Sequence, residues 1–187
     1  MSFKHAVLAA LLDGEASGYE LSKLFDASLA NFWPATPQQL YRELERLTQD
    51  GLLSARLVRQ DRRPNKRMFT LTDAGRAHLR AFADTPPRRP TVIRDELLVK
   101  IQAMDGGDPA LTRAQVEERM AWSRAKLDRY TRMRDRLLDG RTEEAYLSAA
   151  DRIGPYLTLM AGIGFEEENQ RWCARVLALL ADRTAVG

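Results

Sequence analysis

Arg56-Leu57-Val58-Arg59-Gln60-Asp61-Arg62-Arg63-Pro64-Asn65-Lys66-Arg67 sets six basic residues around a single acid, inside a pattern that reads strand, turn, strand. Leu53, Ala55 and Leu57 alternate with Ser54 and Arg56, the period-two signature of a strand with one apolar face. Asp61-Arg62-Arg63-Pro64-Asn65 supplies the turn residues, and Met68-Phe69-Thr70-Leu71 resumes an apolar strand. The expected product is a β-hairpin with a cationic tip. A solvated surface rarely concentrates one sign of charge so tightly, and such a tip suits the polyanionic backbone of DNA.

The segment before the hairpin carries the strongest helix signal in the chain. Thr36 is the expected N-cap, Pro37 takes the first helical position, Gln39 is placed to return the cap, and Gly51 supplies the stop. Leu40, Leu44 and Leu47 fall on one face of this third helix, leaving Gln38, Arg42, Glu45, Arg46 and Gln49 on the other. Two helices precede it. Phe3, Val7, Ala10 and Leu11 make an apolar stripe that ends near Asp13-Gly14. Ser17 with Glu20 forms a capping box ahead of Leu21, Leu24, Phe25, Ser28 and Leu29, with a break before Pro34. After the hairpin, Thr72-Asp73 caps a helix bearing Ala74, His78, Leu79 and Phe82. Helices followed by a charged hairpin spell a winged helix-turn-helix.

Pro86-Pro87-Arg88-Arg89-Pro90 marks the boundary between an expected winged helix-turn-helix domain at residues 1–84 and an all-helical domain at residues 91–187. The second part reads as a helix from about Val92 to Ala103, a turn at Asp105-Gly106-Gly107-Asp108, and a long helix from Arg113 to Leu138. Val116, Met120, Leu127, Tyr130 and Leu137 recur at three- and four-residue steps with Ser123 and Arg134 as polar interruptions, a coiled-coil-type seam. A last helical stretch from about Glu143 to Asp182 carries Tyr146, Ile153, Leu157, Met160, Ile163, Trp172, Val176, Leu177 and Leu180, and Gly154-Pro155 kinks or splits it. The fold class expected is therefore mainly α: a winged helix-turn-helix of helices plus one β-hairpin, then a helical domain suited to dimerisation.

The 187-residue chain is 44% hydrophobic, enough for two modest cores. Its net charge of +3 divides unevenly: residues 1–90 hold 14 Lys/Arg against 10 Asp/Glu, residues 91–187 hold 15 against 16, so the first half is the expected nucleic-acid half. No run approaches the roughly 20 apolar residues of a membrane-spanning helix, and Met1-Ser2-Phe3-Lys4-His5 lacks a signal-peptide pattern, so the expected location is the cytoplasm with no membrane partner. Cys173 is the only cysteine, which rules out an intramolecular disulfide and a cysteine zinc cluster and leaves it as a small buried hydrophobe. His5 and His78 lie far apart in sequence, with neither metal spacing nor a nucleophile partner. Glu166-Glu167-Glu168 reads as a solvated helical run on different faces, and Gly162-Ile163-Gly164 lacks the strand that precedes a nucleotide loop. No catalytic residue, metal ligand or cofactor is expected, so the chain does not read as an enzyme.

Gly18-Tyr19-Glu20-Leu21, Phe32-Trp33-Pro34, Gln39-Leu40-Tyr41-Arg42-Glu43-Leu44-Glu45-Arg46-Leu47, Asp50-Gly51-Leu52 and Phe69-Thr70-Leu71-Thr72-Asp73-Ala74-Gly75 occur in this order. Together they resemble the PadR family of bacterial transcriptional regulators over residues 3 to 83, and the remainder resembles the longer helical C-terminal domain of the family's Vir-like branch. The resemblance implies a repressor whose N-terminal domain binds double-stranded operator DNA, whose C-terminal helices form a homodimer, and which in some members lets go of DNA when a small aromatic or phenolic effector binds. The residues expected at DNA are Thr36, Gln38, Gln39, Tyr41, Arg42 and Arg46 on helix three and Arg62, Arg63, Lys66 and Arg67 on the hairpin. The glutamines suit adenine edges and Arg42 guanine or a phosphate, while the resemblance suggests a phosphate for Tyr41. Trp122 and Trp172 are the aromatic candidates for an effector, with packing in a dimer core as their ordinary alternative; Tyr19 and Trp33 read as core or interface aromatics. The competing reading is a winged-helix protein-interaction module that lacks sequence-specific DNA binding.

Overall fold

The computed structural model describes residues 3–25, 35–59, 65–87 and 93–185. The chain divides into two compact units, Met1–Pro90 and Thr91–Gly187. The first contains α1 (Phe3–Ala10), β1 (Ala16–Ser17), α2 (Gly18–Leu24), α3 (Pro37–Gln49), β2 (Leu53–Val58), β3 (Lys66–Leu71) and α4 (Asp73–Ala83). This is the expected mainly helical winged helix-turn-helix, with β1 as an addition. β3 is the centre of an antiparallel sheet ordered β1-β3-β2, with Ala16 opposite Phe69, Leu53 opposite Leu71 and Val58 opposite Lys66.

Both capping boxes form as their spacing demands. The Ser17 N–H donates to the Glu20 carboxylate at 2.7 Å and the Glu20 N–H to Ser17 Oγ at 3.3 Å. Those bonds from Ser17 hold the Glu20 carboxyl below the usual carboxylate range. At α3 the Gln39 N–H donates to Thr36 Oγ1 (3.2 Å) and the Thr36 N–H to Gln39 Oε1 (2.9 Å). A cap of this kind stabilises a helix by about 1 kcal/mol, and it fixes where the helix begins.

Leu40, Leu44 and Leu47 are at most 1% exposed and enter one core with Val7, Leu8, Leu11, Leu21, Phe25, Leu53, Phe69, Leu71 and Leu79. Each such leucine contributes roughly 1.5–3 kcal/mol, so α3 cannot rotate about its axis without losing most of its packing. The chain leaves α3 through Gly51 at φ 72°, as the stop signal requires. Two apolar positions depart from expectation. Leu57 is 61% exposed: it lies on the edge strand β2, one residue before the last pair of the hairpin, Val58 with Lys66. Ala74 is exposed and Gly75 is buried instead. A Cβ on Gly75 would lie 2.1 Å from the Leu52 carbonyl oxygen, and Thr72 Oγ1 donates to the Gly51 carbonyl at 2.7 Å, so the start of α4 is pressed onto the turn after α3. His5 and His78, remote in sequence, stack with ring centroids 5.2 Å apart, and His5 also stacks on Phe82 at 3.8 Å.

The second unit contains α5 (Glu96–Gln102), a 3-10 turn (Met104–Gly106), α6 (Pro109–Leu138), α7 (Glu143–Ala149) and α8 (Gly154–Ala185). α6 begins at Pro109 rather than Arg113, because Asp108 caps it by accepting the Ala110 N–H at 2.8 Å. The final stretch splits before Gly154, as the Gly-Pro pair predicts. α6 and α8 are antiparallel: Arg119 meets Asn169, Ser123 meets Glu166, and Tyr130 packs with Leu159 and Ile163. On α8 the buried stripe runs through Tyr156, Leu159, Ile163, Glu166, Cys173 and Leu180, whereas Ile153 and Leu157 are 44% and 52% exposed. Steps of three, four and three from Tyr156 set that face; Leu157 lies beside it, and Ile153 precedes the helix.

A polar layer interrupts the seam. Ser123 Oγ donates to the Glu166 carbonyl at 3.0 Å and Gln170 Nε2 to the Met120 carbonyl at 2.8 Å. Glu166, expected in solvent, is 1% exposed; it accepts from Asn169 at 3.1 Å and pairs with Lys126 at 3.4 Å, which offsets the cost of burying its charge. Cys173 is buried as expected, and burial pushes its thiol up, so little thiolate forms near neutral pH. Gly75→Ala is expected to lower the unfolding free energy by about 1–3 kcal/mol in urea titration, because a backbone oxygen must move. Gly106→Ala, where a Cβ would meet nothing within 4 Å, is expected to stay within about 0.5 kcal/mol.

Candidate nucleic-acid interface

Pinning the leucine face of α3 inward turns Gln38, Arg42, Glu45 and Gln49 outward in steps of four, three and four, one stripe along the helix. Among the described residues Gln38 and Arg42 have no hydrogen-bond or ion-pair partner, so their side chains are available to a ligand. Tyr41 stands beside them, 47% exposed. Its ring lies over Gly18 at the start of α2, where a Cβ would sit 2.3 Å from a ring carbon. Gly18 is thus the seat that lets Tyr41 lean across α2.

The remaining expected residues of α3 are more constrained. Thr36 and Gln39 are committed to their mutual cap, which leaves Gln39 its amide N–H2 but not a free carbonyl oxygen. Bidentate recognition of adenine aims both atoms at one base edge, so it competes with the cap for the Gln39 carbonyl oxygen. Arg46 is bound to its own helix: Nε donates to Glu43 at 3.1 Å and Nη1 lies 3.4 Å from Asp50. Its contact with Glu43 raises its already high pKa.

The hairpin is less one-sided in charge than its sequence. Arg56 Nε donates to Glu15 at 2.9 Å, Lys66 Nζ lies 3.6 Å from Glu20, and Arg67 Nη1 pairs with Glu45. The Arg67 guanidinium also rests 5.2 Å from the centre of the Phe69 ring. The Arg56 guanidinium holds the Glu15 carboxyl below its usual range, and Glu15 in turn raises Arg56. Three of the four described cations, Arg56, Lys66 and Arg67, therefore face acids from elsewhere in the chain. Arg59 is exposed and has no partner among the described residues. Arg62 and Arg63, expected at the tip, lie outside the described residues. Sequence reading missed these pairs because 41 residues separate Glu15 from Arg56 and 22 separate Glu45 from Arg67. Only the folded unit brings them together, the sheet for the first pair and the packing of α3 near β3 for the second.

The second unit holds a cavity of about 450 Å³ whose wall includes Leu97, Arg119, Trp122, Lys126, Phe165 and Glu166. Trp122 is 63% exposed and Phe165 48%, so two aromatic surfaces flank cations and a buried carboxylate. Trp172, the other aromatic candidate, is not in this wall; its ring lies behind Arg119, 5.5 Å from the guanidinium carbon. Arg119 is further held by Asp95 and by Asn169 Oδ1 at 3.1 Å. Tyr19, expected to be packed, is 62% exposed with Lys23 over its ring at 4.6 Å, and Trp33 lies outside the described residues.

Residues 7–81 match the transcriptional regulator PadR-like family and residues 93–181 match the virulence activator alpha C-term family. The chain is 32% identical to the probable transcriptional regulator Rv1176c of Mycobacterium tuberculosis, across 98% of this chain and 100% of that one. It is 30% identical to the negative transcriptional regulator PadR of Bacillus subtilis, across 95% and 96% of the two chains. The crystal structure of Bacillus subtilis PadR in complex with operator DNA superposes with a TM-score of 0.77 at 26% identity, covering 95% of this chain and 98% of that one. The same regulator in complex with p-coumaric acid gives 0.71, also at 26% identity, over 95% and 94% of the two chains. The Vibrio cholerae virulence activator AphA gives 0.69 at 28% identity, over 97% of this chain and 99% of that one. Both halves of the chain and relatives that span its length agree: it belongs to the PadR-like family of transcriptional regulators.

Proposed function

We propose that this regulator binds double-stranded operator DNA as a homodimer, with α3 in the major groove and the β2–β3 hairpin on the backbone. The observation that carries this reading is the outward stripe of α3, where Gln38 and Arg42 are uncommitted beside a seated Tyr41 while the opposite face is locked in the core. Arg42 supplies base discrimination, Tyr41 and Arg59 reach phosphates, and Thr36 and Gln39 hold the helix N-terminus at the groove. Lys66 and Arg67, with Arg62 and Arg63, complete the backbone contact. A single winged unit binds weakly, so two copies act on half-sites about one DNA turn apart. Exposed apolar side chains on α5, α6 and α8, among them Leu98, Val99, Leu111, Leu157 and Leu179, supply the contact between copies. The 30% identity to a negative regulator supports repression as the output.

Control by a small aromatic compound follows from the cavity beside Trp122. The ring of such a compound stacks on Trp122 or Phe165, and an acidic group meets Arg119 or Lys126. That a PadR of Bacillus subtilis was solved with p-coumaric acid supports this class of ligand. The compound acts only if it binds one dimer arrangement better than the other. The protein works by binding, not catalysis, and in the cytoplasm where its DNA is; among the described residues no helix is long and apolar enough to cross a membrane.

Fluorescence anisotropy of a duplex from upstream of the protein's own gene, against a scrambled duplex, tests the DNA reading. Arg42→Ala is expected to lose about 1–3 kcal/mol of preference for the upstream duplex. Arg59→Gln is expected to weaken both duplexes alike and to flatten the salt dependence by about one unit of slope. Equal weakening of both duplexes by Arg42→Ala contradicts a reading role for α3. For the effector, p-coumaric acid is expected to quench tryptophan emission and to weaken DNA binding together, with the quenching reduced in Trp122→Phe. Quenching with unchanged DNA affinity contradicts release.

A further inference from the structure

We infer that Glu45 is a built-in competitor for the DNA backbone: it holds Arg67 in an internal ion pair and thereby lowers affinity for DNA of any sequence, which leaves discrimination to the uncommitted residues of α3. The inference rests on the DNA reading above. Glu45 lies in the middle of the outward stripe, three residues after Arg42 and four after Tyr41. A carboxylate there faces the phosphates that Tyr41 approaches, and its repulsion opposes every duplex equally. It is kept there in a specific arrangement. Arg67 reaches it from β3, and the same guanidinium lies over the Phe69 ring.

Both side chains remain half-exposed, at 40% for Arg67 and 50% for Glu45, so water and phosphate can reach the pair. An exposed pair is weak, and a phosphate can displace the carboxylate. Acids also face hairpin cations at two other places, where Glu15 faces Arg56 and Glu20 faces Lys66. Glu20 also serves the α2 cap and Glu15 lies off the α3 stripe, so Glu45 is the member whose removal changes DNA binding without unmaking a helix end. The regulator is thus tuned down in general affinity: three of its hairpin cations are partly spent on its own acids.

A double-mutant cycle in the full-length protein tests this, using Glu45→Gln, Arg67→Gln and the double variant on the upstream duplex and on a mixed-sequence duplex at several salt concentrations. Glu45→Gln is expected to raise affinity for the mixed-sequence duplex roughly threefold or more and to steepen the salt slope by about 0.9, the value of one added phosphate contact. In the Arg67→Gln background the same change is expected to give a smaller gain and no steepening, since Arg67 is then absent. An equal gain in both backgrounds overturns the inference, because Glu45 then acts only as a general charge. A loss of affinity confined to the upstream duplex also overturns it, since Glu45 then reads a base. If wild-type protein binds neither duplex, the DNA reading itself fails and this inference with it; if it binds and the cycle shows no coupling, only the inference fails.

Discussion

Burial of Leu40, Leu44 and Leu47 is the constraint on which the first unit depends. These side chains join Val7, Leu8 and Leu11 on one side and Leu53, Phe69 and Leu71 on the other, so a single helix face ties together α1, the sheet and α3. With three leucines locked in, the azimuth of α3 is set, and the residues on the opposite face are presented without any device of their own. The caps at Thr36 and Ser17 then fix the axial position of α3 and α2 to within a residue. A recognition surface needs both: the core decides which side chains face out, and the caps decide how far along the groove they reach.

Charge is handled differently in the two units. In the first, cations near the hairpin meet Glu15, Glu20 and Glu45 at an exposed surface where such pairs are weak and exchangeable. In the second, Glu166 is almost wholly buried within the α6–α8 seam, and its carboxylate is spoken for by Lys126 and Asn169. That layer also joins helix to helix through Ser123 and Gln170, each donating to a backbone carbonyl across the seam. A slip of α6 against α8 would break both of these cross-seam hydrogen bonds, so the layer favours one alignment where the apolar seam alone would tolerate slippage. The cavity beside Trp122 borders the same layer, which brings any occupant next to the groups that set the register.

How much was legible in the sequence follows from the range of each interaction. Caps join residues three apart and helical stripes join residues three or four apart, so Thr36 with Gln39, Ser17 with Glu20, and Leu40 with Leu44 declare themselves along the chain. The split at Gly154-Pro155 is equally local, a consequence of one missing N–H. What stayed hidden depends on elements meeting. Leu57 alternates correctly, yet it is exposed near the end of an edge strand, and alternation carries no record of which positions other elements cover. Glu166 was misread because a run of acids looks solvated until a second helix supplies Lys126. The His5–His78–Phe82 stack and the Gly18 seat of Tyr41 each join two elements that only the folded core brings together.

The central claim is that the outward face of α3, held in place by its leucine face, is where this regulator meets DNA, with the adjoining strands on the backbone. Amide hydrogen exchange of the full-length protein with and without the upstream duplex measures this directly. Added protection is expected at residues 36–42 of α3 and along β2 and β3, greater with the upstream duplex than with a scrambled one. Protection confined to α6 and α8, or unchanged exchange throughout the first unit when the duplex is bound, would contradict it.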